Sequence, residues 1–94
     1  MIDCVKANLS QFSGLYYREV FDPDPQLNDE VVIGDVADDL LDIYLDLRRG
    51  LLTFERGEDQ KALWHWSFSH RIHWGRHCVG ALMGLHGMVL SKQE

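Results

Sequence analysis

Ninety-four residues with 46% apolar content and a net charge of −6 fit one small folded domain rather than a disordered tail. The nine Lys and Arg are scattered, so no basic cluster offers a surface to nucleic acid or to an anionic membrane, and neither is expected as a partner. The start "MIDCVKANLS" has an acid at position 3 and no apolar run, and Cys4 and Cys78 follow no metal or redox spacing, so the chain reads as cytoplasmic with reduced thiols.

Residues 1–18 predict a weak N-terminal helix: Val5, Leu9, Phe12, Leu15 and Tyr16 recur near helical spacing, with Gly14 as a flaw. Residues 19–34 read as a loop around "DPDPQLND", where two prolines fix φ and remove donors; "EVVIGD" can hold a short extended piece before Gly34. Asp35 then suits an N-cap, and residues 35–57 form a helix. Its apolar stripe is Val36, Leu40, Ile43, Leu47, Leu51 and Phe54, and Gly57 is its C′ stop. Residues 59–90 predict a second helix of about 45 Å, with Leu63, Trp64, Phe68, Trp74, Cys78, Leu82, Leu85 and Val89 on its apolar side. The fold class expected is all-α: a hairpin of two long helices plus a short N-terminal element in one domain spanning 1–94, completed into a bundle by dimerisation. Trp64 and Trp66 point about 160° apart. Trp66 shares a side with Gly80 and Gly84, small residues that allow close helix approach, and these three make the expected homodimer interface.

Two stripes could carry chemistry. His70, His73 and His77 share a face of the long helix, and Asp35, Asp39, Asp42 and Asp46 make a narrow stripe on the preceding one. In an antiparallel hairpin turning near Gly57, residues whose numbers sum to about 116 lie at one height, which sets Asp46 against His70, Asp42 against His73 or Trp74, and Asp39 against His77. If both apolar stripes face a common third layer, the Asp and His stripes emerge together on the opposite side. Imidazole with carboxylate can ligate Zn, Mn or Fe, or form a purely structural polar network. "HWGRH" lacks the general-base Glu of helical metalloproteases, and the chain has no Glu-x-x-His pair of the di-iron kind. Ser67 and Ser69 have no strained elbow, Cys78 diverges from its neighbour His77 by about 100°, and Tyr16, Tyr17 and Tyr44 read as packing residues with a polar end.

"YYREVFDP", "DVADDLLDIYLDL", "ALWHWSF", "HWGRH" and "ALMGLHG", in that order, resemble an uncharacterised bacterial family, DUF5063, over about residues 16–86. The match falls on Asp38, Asp42, Asp46, Trp66, His73, Trp74, Gly75, His77 and His86. The resemblance implies a compact all-helical fold and transfers no activity. Longer members carry helical sequence ahead of the matching region, which implies here that a second copy supplies packing surface. The expected function is a dimerising protein-interaction module with no cofactor, with homodimerisation and a protein partner. The alternative is a metal- or small-ligand-binding protein, possibly an enzyme, that uses Asp39, Asp42, Asp46, His70, His73 and His77 with a divalent metal such as Zn, Mn or Fe.

Overall fold

The computed structural model describes residues 2–92; Met1, Gln93 and Glu94 of the expected single domain lie outside them. Helix α1 runs Ile2–Leu9 and tightens into a 3-10 turn at Ser10–Phe12. The expected helix over 1–18 stops there. Gly14 adopts a positive φ of 82°, open to glycine without strain, and redirects the chain into strand β1, Tyr16–Glu19. Strand β2, Val32–Asp35, pairs antiparallel with it in the register Tyr17↔Gly34 and Glu19↔Val32. So the extended piece expected before Gly34 runs through it, and both ends of the expected 19–34 loop belong to a two-stranded sheet. Between the strands, aspartate side chains organise the turn: Asp22 Oδ1 accepts from the Asp24 amide and Asp24 Oδ1 from the Gln26 amide.

Helix α2 spans Val36–Glu55. Asp35 caps it as expected, its Oδ1 accepting from the amides of Ala37 at 3.0 Å and Asp38 at 3.4 Å. Its end is a Schellman motif: Glu58 N–H bonds to Thr53 O at 3.3 Å and Gly57 N–H to Phe54 O at 2.9 Å, with Gly57 at φ 83°. The long second helix comes in three parts: α3, Asp59–Ser69; a π-helical turn, His70–Trp74; and α4, Gly75–Lys92. The Gly75 amide bonds to the carbonyl of His70, five residues back, and a Cβ on Gly75 would sit 2.5 Å from that oxygen. Glycine here lets the wider turn form.

The helices α2 and α3–α4 make an antiparallel hairpin, and the seam between them is not the apolar stripe read from the sequence. On α2 the buried positions are Val36, Asp39, Gly50 and Thr53, opposed by Ala62, Gly80 and Ala81. Leu47, Leu51 and Phe54 from the expected core stripe stay 39–49% exposed. Small and polar residues let the backbones approach, and the leucines are left one position to the side.

The sheet lies over the α4 end of the hairpin and is held by Tyr17. A Cβ at Gly34, Gly80 or Gly84 would collide with the Tyr17 ring, so three glycines from a strand and a helix form the slot that the ring fills. Arg76 adds a second tie: its guanidinium lies 3.8 Å over the Phe21 ring, and its Nη2 is 3.4 Å from Glu19 Oε1.

Candidate functional site

Periodicity places Asp39, Asp42 and Asp46 on one face of α2, three and four residues apart. The π-helical turn supplies His73 and the first turn of α4 supplies His77. The two stripes meet in the seam. His77 Nδ1 lies 2.5 Å from Asp39 Oδ1, and His73 Nδ1 lies 2.7 Å from Asp46 Oδ2. Both rings turn Nε2 toward Asp42, whose Oδ2 is 3.3 Å from His77 Nε2 and 4.0 Å from His73 Nε2. The imidazoles sit edge to face, with centroids 4.6 Å apart. One donor atom from each of Asp42, His73 and His77 lies within 4.8 Å of the other two.

Exposure is graded across the cluster. The Asp39 side chain is 5% exposed, Asp46 17%, His77 23%, Asp42 35% and His73 44%. The two most buried carboxylates are those that hold Nδ1, and the most open pair faces Nε2. The contacts of Nδ1 with carboxylates favour a proton on Nδ1, and Nε2 is the ring nitrogen turned toward Asp42. A groove bordered by Asp46, Arg49, His65, Ser69 and His73 leads up to the His73 edge of the cluster.

Tyr17 completes the buried end, donating its hydroxyl to Asp39 Oδ2. Burial, and then the hydrogen bond to Asp39 and the charge of that carboxylate, push the Tyr17 hydroxyl well above its ordinary value; Glu19 adds to this and Arg76 opposes it. The Asp39 carboxylate therefore accepts from both Tyr17 and His77, so its burial is compensated at both oxygens.

Five of the six cluster residues named from the sequence come together: Asp39, Asp42, Asp46, His73 and His77. His70 does not. Its ring packs edge-on against Trp74, with centroids 4.6 Å apart, away from the aspartates. The expected height match of Asp46 with His70 is thus corrected to Asp46 with His73. The π-helical turn begins at His70 and changes the pitch between the two histidines, and regular 100° arithmetic does not contain it.

The expected intermolecular face is also corrected. Trp66 packs on Gly50 of α2, where a Cβ would strike the indole, and donates its Nε1–H to Leu47 O at 3.0 Å. Gly80 and Gly84 are filled by Tyr17, with Val36 against Gly84. The chain itself occupies all three positions.

Sequence reasoning missed Tyr17 as a member of the site. Its signal was indirect: Gly34, Gly80 and Gly84 are unexplained by local structure and mark the space that one aromatic ring takes.

Among the described residues, no helix is long and apolar enough to cross a membrane. No curated protein and no solved structure matches the chain. A family profile does, one described as Domain of unknown function (DUF5063), over residues 2–91. With nearly the whole chain matched and the helical hairpin in place, the protein belongs to the DUF5063 family.

Proposed function

We propose that this protein binds one divalent transition metal, of the Zn, Mn or Fe(II) class, through Asp42, His73 and His77. The observation that carries the reading is the orientation of the two imidazoles: each is anchored at Nδ1 by its own carboxylate, and each turns Nε2 to the same third carboxylate. Metal-binding histidines are held in this way, with an outer carboxylate fixing the tautomer and raising the basicity of the other nitrogen. Two ligands about 2.0–2.2 Å from one ion are separated by about 3.0–3.5 Å at tetrahedral or cis-octahedral angles. The Nε2–Oδ2 separations of 3.3 and 4.0 Å need only small side-chain shifts to reach that range. Two histidines and one carboxylate leave coordination positions for water or a small ligand, and the groove past Arg49 and His65 reaches the His73 edge of the cluster.

The roles divide accordingly. Asp42, His73 and His77 are the ligands. Asp39 and Asp46 orient the rings, and Tyr17 orients Asp39. The family carries no established activity, and the support for this reading is the geometry of the cluster.

Isothermal titration of the untagged, chelator-treated chain with Zn2+, Mn2+ and Fe2+ tests it. One ion per chain should bind. Asp42→Ala and His77→Ala should abolish binding, and Asp46→Asn, which touches no ion, should weaken it about 10–100-fold. Circular dichroism on each variant separates loss of a ligand from loss of the fold. Binding that is absent, or indifferent to Asp42 and His77 in folded variants, refutes the reading.

A further inference from the structure

We infer that a second copy of this chain packs on the broad face of the helical hairpin opposite the Asp/His site, joining two hairpins about a two-fold axis into a four-helix layer pair.

The face follows from the seam. Leu47 comes one position after Asp46, Leu51 after Gly50 and Phe54 after Thr53; Leu63 comes one position after Ala62, Cys78 after His77 and Leu82 after Ala81. Each step of one residue rotates about 100° in the same sense along its own helix. Because α2 and α3–α4 run antiparallel, that rotation carries both sets to the same side of the hairpin. The structure leaves them open: the five apolar residues besides Cys78 are 39–68% exposed, and Cys78 is exposed as well. Positions one residue before the seam are mixed: Leu45 and Leu52 are exposed there too, but Arg49, Lys61 and Arg76 interrupt them, and the sheet covers part of that side through Glu19 and Phe21.

Area suits a second copy as the occupant. A compact monomer of 10.9 kDa exposes about 5,600 Å². This chain exposes 7117 Å², a surplus of about 1,500 Å². Obligate homodimers bury about 1,000–2,500 Å² from each partner, so the surplus is the size of one half of such an interface. Shape agrees: the radius of gyration is 15.5 Å, against about 12 Å for a compact chain of this length, and the molecule is only 20 Å thick in its shortest dimension. Charge permits self-contact. The chain carries −6, yet none of the six face positions is charged, and the acidic stripe of α2 lies in the seam and on the other side. Like meets like here without repulsion, which is what a two-fold contact requires.

Sedimentation equilibrium of the metal-free full chain at micromolar concentration tests this, together with the alkylation rates of Cys78 and Cys4. The expected mass is a dimer. Cys78 should react several-fold more slowly than Cys4, although both are exposed in the single chain. Leu82→Glu or Leu47→Glu should raise the dimer dissociation constant about a hundredfold and release Cys78, while Leu45→Glu, on the other flank, should leave both readings unchanged. A monomeric mass for the unmutated chain overturns the proposal whether or not the variants fold. So does Cys78 reacting as fast as Cys4, or a dimer that survives both face substitutions. A larger complex formed only with another protein would assign the face to a different occupant and equally overturn it.

Discussion

Tyr17, Asp39 and His77 form a chain of hydrogen bonds in which the carboxylate is the least exposed member. Removing one donor leaves a buried acceptor without its partner, so Tyr17→Phe should destabilise the fold by about 1–3 kcal/mol in a urea melt. The hydroxyl is pushed up in the folded state, chiefly by burial and then by Asp39, so folding favours its protonated form. Its contribution is complete below the unfolded tyrosine pKa of about 10 and is lost as pH rises above it. The Tyr17 share of the tyrosinate absorbance, taken by difference from Tyr17→Phe, should therefore appear only above pH 10 and together with alkaline unfolding. A Tyr17 share complete while the chain is still folded near pH 10 would contradict the buried bond. Burial also ranks the histidines. His77 faces an almost buried carboxylate, whereas the His73 side chain is 44% exposed and its pair with Asp46 is screened by solvent. His77→Ala should thus cost about 1–3 kcal/mol and His73→Ala below about 1 kcal/mol; equal shifts in urea midpoint would remove the ranking. At this scale the aspartates and two of the three histidines were legible, because side chains three and four apart on a helix must share a face. Tyr17 was not, since its bond spans 22 residues and joins a strand to a helix.

Helix ends were legible because they are local chemistry. Asp35 offers an acceptor where amides lack partners, and Gly57 accepts the positive φ that closes a Schellman motif. The inward face of α2 was not legible. Hydrophobic periodicity names the stripe with most carbon, yet the seam here is set by closeness of approach at Gly50, Thr53 and Ala62, and by the Asp/His contacts. Gly50 shows the consequence. Helix propensity alone favours alanine there by about 1 kcal/mol. Yet a Cβ at Gly50 would strike the indole of Trp66, whose Nε1–H is bonded to Leu47 O. Overpacking of this kind costs about 1–3 kcal/mol, enough to reverse the propensity term. Gly50→Ala should accordingly lower the urea midpoint and shift indole emission to the red as Trp66 leaves its seat. A midpoint that rises would mean that the indole relocates freely. The π-helical turn had no sequence signal beyond Gly75, whose role emerges only when the His70 carbonyl is seen beside it.

Among the described residues Val36, Ala62 and Ala81 make up the buried apolar core, a small payload for a chain of 94 residues. The all-α expectation was right about the hairpin and omitted the sheet, because β1 and β2 are four residues each and are stabilised by contact with α4 through Tyr17. With so thin a core, stability should depend on whatever binds the folded state, and the two proposed ligands act on different flanks. A second copy binds the leucine face, so the melting temperature should rise with protein concentration. A metal binds the Asp/His face, and at a hundred times its dissociation constant should add about 2.7 kcal/mol at any protein concentration. Flank separation makes the two effects independent. Leu47→Glu should abolish the concentration dependence and keep the metal-induced rise, while Asp42→Ala should do the reverse. Thermal melts of both variants over a range of chain concentration, with and without Zn2+, measure both linkages. Were either substitution to remove both effects, the two faces would be coupled through the seam, and the hairpin would have to be treated as one cooperative site.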